Sequence, residues 1–456
     1  MSRSTVKELA ASQRASFASG RTRDLDFRRE QLRALRALVV GEEARVFEAL
    51  REDLGKPAFE AYAGETAIVR HEVDHALRHL AAWARPRRVR TMLAHQPGRS
   101  EIRPEPYGVV LVMSPWNFPI QLALAPLAGA IAAGNCVILK PSPLAPATSR
   151  LLAELFERAF DPATVALVEG GVEVAERLLE ERLDYLFFTG STAAARQVMQ
   201  AAARHLTPVT LELGGKCPCI VDADVDLDVA ARRIVWGKFF NTGQTCVAVD
   251  YLLVDRRVRA ALVERLAATV RDFYGDDPAR SPDFGRIVDD RHFDRLVRLL
   301  ERGRIVVGGQ SDRSARFIAP TVIDGVSPED PVMEEEIFGP ILPVLEYGDL
   351  SEAIAFVNAR PPPLALYFFS RDGRQQRRVL RETSAAGCIN DAVLHQTAIE
   401  LPFGGAGESG MGAYHGKASF DLFSRQRSLL RRGFGFDVKL RYPPYAGKLR
   451  LFRKIF

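Results

Sequence analysis

No stretch of this 456-residue chain is apolar for long enough to cross a bilayer, which takes about 20 such residues. From Met1 to Arg29 charges are mixed throughout, without the apolar core of a secretory signal. The five cysteines, Cys136, Cys217, Cys219, Cys246 and Cys388, are odd in number and make no disulfide framework. Cys217-Pro218-Cys219 has no second Cys or His pair at zinc-like spacing, so core cysteines are expected there and no metal site. The chain also lacks internal repeats, low-complexity segments and any G-x-G-x-x-G at a strand–helix turn. These absences argue against a membrane protein, a disulfide-stapled secreted domain and a zinc module. They predict a globular protein of a reducing, cytoplasmic compartment.

What is present is ordinary in bulk and uneven in detail. Hydrophobic residues make up 47% of the chain and the net charge is +5. The excess lies late, where Arg425, Arg427, Arg431, Arg432, Lys439, Arg441, Lys448, Arg450, Arg453 and Lys454 face only Asp437. Such a tail is usually solvated or packed on acidic surface. Nucleic acid is not an expected partner, and peripheral contact with anionic membrane is the minor alternative.

The first hundred residues have helical spacing over Arg28 to Leu54 and Ala61 to Trp83, and Pro86 to Arg99 reads as a break. From Gly108 the texture changes to short apolar strands alternating with helices. The strands begin at Val109, Cys136, Val165, Tyr185 and Val209. Strands so uniformly apolar predict a parallel sheet covered on both faces, with ligands at the carboxyl ends. A second α/β region follows, with strands expected at Tyr251, Ile305, Ile341 and Leu364.

Four segments sit at strand or helix ends. Ser114-Pro115-Trp116-Asn117-Phe118-Pro119 places an amide, Asn117, where it can donate to an oxyanion. Lys140-Pro141-Ser142-Pro143 puts a cation at a strand tip. Thr189-Gly190-Ser191-Thr192 opens a helix whose N–H groups suit a pyrophosphate. Leu211-Glu212-Leu213-Gly214-Gly215-Lys216 pairs with Gly243-Gln244-Thr245-Cys246: a carboxylate ending an apolar strand and a cysteine after a glycine turn, the components of a general base and a thiol nucleophile. Taken singly, each also reads as a turn former, a surface lysine, a helix cap or a core cysteine.

Taken together, these residues resemble the aldehyde dehydrogenase superfamily. The match extends to Glu335-Glu336-Ile337-Phe338-Gly339-Pro340 and Leu401-Pro402-Phe403-Gly404-Gly405. His205-Leu206-Thr207-Pro208-Val209, Ser409 to Lys417 and Arg441-Tyr442-Pro443-Pro444 are similar to the class 3 branch, of fatty and aromatic aldehyde dehydrogenases. The resemblance implies an α/β fold, with a Rossmann-like parallel-sheet cofactor domain (1–85 and 105–212), a second α/β catalytic domain (213–415) and a small oligomerisation element (86–104 and 416–456). It implies Cys246 as nucleophile, Glu212 as base and Asn117 as oxyanion donor. It also implies a site for NAD or NADP built from Trp116, Lys140, Ser142, Gly190, Ser191, Thr192, Glu336 and Phe338, an aldehyde substrate and a homodimer. Tyr62, Phe118 and Ile399 are candidates to line the substrate's path. Two positions depart from the pattern. Pro143 stands where many relatives carry Glu, and Ala195 where Gly is usual. A coenzyme A-dependent acylating enzyme is the rival chemistry, and Glu212 argues against it.

Overall fold

A computed structural model describes residues 3–437 and 439–454. The first sheet has six strands in the order Gly410–Met411, Val209–Glu212, Tyr185–Thr189, Val109–Met113, Cys136–Lys140, Val165–Leu167. All pair in parallel except Gly410–Met411, which runs antiparallel at one edge. Side chains alternate across this sheet. Val110, Val112, Val137 and Leu139 enter one core, and Val109, Leu111, Cys136 and Ile138 another. Both faces are therefore covered, as the unbroken apolar strands predict. The chain order reverses between Val109–Met113 and Tyr185–Thr189, the point where open parallel sheets leave a crevice. Register sets Met113 beside both Lys140 and Phe188, and Thr189 beside Glu212, so the carboxyl ends form one row.

The second sheet has seven strands in the order Arg304–Val307, Thr321–Asp324, Ile341–Tyr347, Tyr251–Asp255, Pro218–Val221, Ala365–Phe369, Ala386–Ile389, parallel apart from the first pair. Cys217 and Cys219 are buried in the core, Cys219 within this sheet. A third, antiparallel sheet joins Arg87–Val89, Gly98–Pro106 and Ser424–Arg432. It corrects the break expected over Pro86 to Arg99. The strand Ser424–Arg432 also accounts for the front of the basic tail. Arg425 and Arg427 pair with Glu105 at 3.1 and 2.7 Å, and Arg431 with Glu101 at 3.4 Å, so those charges lie on acidic surface.

The expected helix over Arg28 to Leu54 is two, Leu25–Gly41 and Glu43–Leu54. The one expected from Ala61 to Trp83 opens as the short helix Ala58–Ala61 and a wide π turn, Tyr62–Thr66, before Ala67–Trp83. This helical layer supplies caps to the sheet helices. Helix Pro146–Ala159 has no cap of its own, and the buried Asp53 provides one. Its carboxylate accepts from the Ala147 and Thr148 amides at 2.9 and 2.8 Å and from the Thr148 hydroxyl at 2.7 Å. A carboxylate is favoured at a helix N-terminus, and removing one buried there strands amides in a dry core. Asp53→Ala should therefore cost about 2 kcal/mol, and Asp53→Asn, which keeps an acceptor oxygen, less. Urea unfolding followed by circular dichroism checks this, and a midpoint unchanged by Asp53→Ala would refute it.

Candidate active site

Helix Leu227–Phe239 runs into a tight turn, Phe240–Gly243, with Asn241 and Thr242 in the left-handed region at φ 54° and 57°. Gly243 follows at φ 73°, and a Cβ there would lie 2.3 Å from the Gly339 carbonyl oxygen, so only glycine fits. This turn delivers Cys246, partly buried, to a cavity of about 220 Å³ that Asn117, Glu212, Glu336 and Phe338 also line. The Asn117 side-chain amide donates to the Gln244 carbonyl at 3.0 Å, leaving its second hydrogen for the cavity.

Glu212 is 2% exposed, and neither carboxylate oxygen has a partner. Burial raises its pKa well above the usual carboxylate range. Glu336 lies over Gly214, where a Cβ would come within 2.1 Å of its carboxylate. Burial, then the charge of Asp250, push Glu336 up to about 8. Burial, followed by the charges of Glu336 and Glu212, pushes the Cys246 thiol up to about 12. Two carboxylates and a thiolate this close cannot all be ionised cheaply. At neutral pH Glu336 favours its proton, which lessens the repulsion a Cys246 thiolate would meet.

The small cavity opens into a cleft of about 700 Å³, and Trp116, Gly190, Ser191 and Arg295 line both. Lys140, Ser142 and Pro143 form one wall, and the Lys140 ammonium donates to the Pro141 and Gly170 carbonyls at 3.1 and 2.8 Å. Ser191 caps helix Thr192–Ala203, whose N-terminus faces the cleft. Ser114 and Thr189, at the strand tips, keep buried hydroxyls without partners. Trp116 meets His292 and Phe338 edge-on at 5.2 and 5.3 Å, at the junction of cleft and cavity. Unsatisfied hydroxyls, a capped helix end and a basic wall fit an elongated anionic ligand such as a dinucleotide.

A model of the aldehyde dehydrogenase family matches residues 1–429. The chain is a member of that family. It is 50% identical over 438 residues to "Aldehyde dehydrogenase family 3 member B1" of Rattus norvegicus, covering 95% of this chain and 94% of that one. It is 47% identical over 449 residues to "Aldehyde dehydrogenase, dimeric NADP-preferring" of the same species, covering 98% and 99%. Among solved structures, the substrate-bound state of AldH from Staphylococcus aureus superposes with a TM-score of 0.97 at 44% identity, over 99% of both chains. The protein is thus an NAD(P)-dependent aldehyde dehydrogenase of the class 3-like branch.

In this aldehyde dehydrogenase most of the residues singled out from sequence meet at the cleft and cavity; five do not. The Thr192 hydroxyl donates to the Glu408 carbonyl at 3.1 Å, outside both linings. Ala195 is buried in the core with Leu186, behind Phe188, Ala194 and Val198, which line the cleft. Tyr62 is on the surface, its hydroxyl accepting from Arg70 at 3.1 Å. Ile399 lines a separate cavity of about 340 Å³ with Ile68, Trp236, Phe240 and Val393. Phe118 lies behind it, stacked on Phe240 at 6.2 Å. Sequence reasoning missed Arg291, His292, Arg295 and Arg298, which line the dinucleotide-sized cleft from helix Asp290–Arg298. The signal was there: arginines at 291, 295 and 298 share one helical face.

Proposed function

We propose that Cys246 attacks the aldehyde carbonyl, that the Asn117 amide and the Cys246 backbone N–H hold the resulting oxyanion, and that Glu212 activates the water that releases the acid. The observation that carries this reading is the convergence of Cys246, Glu212 and Asn117 on one cavity, with both Glu212 oxygens unpartnered. The dinucleotide, when bound, supplies the hydride acceptor that turns the tetrahedral adduct on Cys246 into a thioester. Lys140, Ser142, Gly190, Ser191 and Trp116 line the cleft that would hold it, with Glu336 and Phe338 at its inner end. Thr192 has no part in this assignment. A base carboxylate serves water as acyl acceptor and favours hydrolysis over transfer to coenzyme A.

The cavity lined by Ile68, Trp236, Phe240 and Ile399 supports medium- or long-chain aliphatic or aromatic aldehydes as substrates. The five parallel strands of the first sheet, within residues 1–85 and 105–212, belong to the dinucleotide-binding domain, and 213–415, which lends the edge strand Gly410–Met411, is the catalytic domain. Residues 86–104 and 416–456 form the element that joins two copies. The five free cysteines suit a reducing, cytoplasmic compartment.

Cys246→Ala should abolish dehydrogenase activity, and changes at Cys136, Cys217, Cys219 or Cys388 should do far less. With Glu212→Gln the thioester should persist and steady turnover fall about a hundredfold, because an amide cannot take water's proton. Its raised pKa means the native hydrolytic step gains rate as pH rises and Glu212 ionises. Mass spectrometry of Cys246 after mixing with aldehyde and dinucleotide reads this out, and turnover undiminished by Glu212→Gln assigns the base elsewhere.

Pro143 lines the cleft beside Lys140, and Arg291, Arg295 and Arg298 make the opposite wall basic. A glutamate at 143 would repel the extra phosphate of NADP; proline does not. A relative named NADP-preferring shares this branch. The enzyme should use NADP at a rate comparable to NAD, and Pro143→Glu should raise the Michaelis constant for NADP. A native preference for NAD above about a hundredfold, roughly 2.8 kcal/mol, would overturn this.

Phe434, Phe436, Leu449 and Leu451 are exposed on the third-sheet side of the chain, and one relative is named dimeric. Light scattering at micromolar concentration should give twice the chain mass of 50.5 kDa, and a monomer would exclude the homodimer.

A further inference from the structure

We infer that Lys56 is a positioning residue for the reaction, setting the Asn117 amide from beneath through the Asn117 backbone carbonyl. This rests on Asn117 as the oxyanion donor.

The Lys56 and Glu65 side chains are both 0% exposed and pair at 2.6 Å. Lys56 lies in the short loop between helices Glu43–Leu54 and Ala58–Ala61, and Glu65 lies in the π turn Tyr62–Thr66. The Lys56 ammonium also donates to the Asn117 carbonyl at 3.0 Å and sits 4.3 Å from the centre of the Phe118 ring. An ammonium has three N–H donors, and a carboxylate, a carbonyl and a ring face occupy them. The Asn117 carbonyl takes a second donor, the Asn241 side-chain amide, at 2.9 Å. That same amide bonds the Gln244 carbonyl at 3.0 Å, the acceptor that also receives the Asn117 side chain. The Asn241 backbone N–H is held by Glu60 at 2.9 Å. Lys56 thus fixes one of the two oxygens, the Asn117 carbonyl beside the Gln244 carbonyl, at which the Asn117 turn and the Cys246 loop are tied together.

Glu65 anchors the arrangement. Helix Gln121–Ala133 has no cap of its own, and the second Glu65 oxygen accepts from the Ile120 and Gln121 amides at 3.0 and 2.8 Å. The residues immediately after Asn117 are therefore pinned by the same carboxylate that orients Lys56. A buried ion pair is a poor source of stability, since apolar side chains of similar volume often do as well. What this pair supplies is direction, with each hydrogen bond ending on the backbone of Asn117 or of the helix that follows it. An oxyanion donor displaced slightly loses much of its effect in the transition state, where its distance decides its worth.

The test is a double-mutant cycle on the full-length enzyme, reading the pre-steady-state burst of reduced dinucleotide with hexanal. Asn117→Ala should slow the burst about a hundredfold or more. Lys56→Met should slow it at least about tenfold, with the Michaelis constant for the dinucleotide unchanged. In the Asn117→Ala background Lys56→Met should slow it no further, because no amide remains to be positioned. Multiplicative losses, or a native burst in Lys56→Met, would overturn the inference while leaving Asn117 its role. A native burst in Asn117→Ala would remove the oxyanion reading and this inference with it. If Lys56→Met does not fold, Lys56→Met/Glu65→Gln removes both buried charges while keeping an acceptor for the helix amides, and the same cycle is run on that pair.

Discussion

A parallel sheet packed on both faces leaves a polar group only one place to go, the ends of its strands. That constraint organises this enzyme. Apart from Thr210, whose hydroxyl is bonded to that of Tyr185, the inner face positions of the first sheet are apolar, and the polar side chains gather at the carboxyl row of Lys140, Thr189 and Glu212. The chain-order reversal opens that row to a crevice, and the second sheet closes it by bringing the Cys246 turn across from the other side. Glu212 is the extreme case: a carboxylate at a strand end, buried, with no partner at all. Such a group is costly to the fold, and its cost is the physical mark of a functional position.

The strands of the first sheet could be read almost to the residue, because a strand buried on both sides writes its burial into every position. The strands Val109–Met113 and Val209–Glu212 and the helix Gln121–Ala133 were legible in this way. The third sheet was not. Ser424–Arg432 carries four arginines and lies mostly exposed, so its sequence looks like solvated tail. It is a strand because its partner, Gly98–Pro106, offers a matching backbone and the acidic Glu101 and Glu105. Pro218–Val221 was hidden by the Cys217-Pro218-Cys219 run at its start, which draws the eye to metal chemistry.

The chemistry was legible where a residue type is unusual for its place, such as Glu212 ending an apolar strand or Cys246 after a glycine turn. It was not legible where the function lies in spacing across elements. Arg291, Arg295 and Arg298 look like an ordinary surface helix until the helix is laid against the cleft. Lys56, Glu60 and Glu65 look like charged helix surface, and burial alone reveals that they hold the backbone beneath the cavity. Thr192 stands in the motif that opens the helix at the cleft, and its hydroxyl donates to the Glu408 carbonyl, a partner more than two hundred residues away that the motif does not announce.

The contact between Gly243 and Gly339 has a wider consequence. With no room for even a methyl group between them, the turn that carries the thiol and the loop that carries Glu336 and Phe338 meet backbone to backbone. A backbone contact has no rotamer to absorb a shift, so a displacement of one loop is handed to the other undiminished. Thiol geometry and dinucleotide affinity are then linked quantities in the thermodynamic sense, each changing the other by the same free energy. Over evolutionary time the two loops would have to drift in step, and a graft of either one alone from a relative would arrive out of register with its partner.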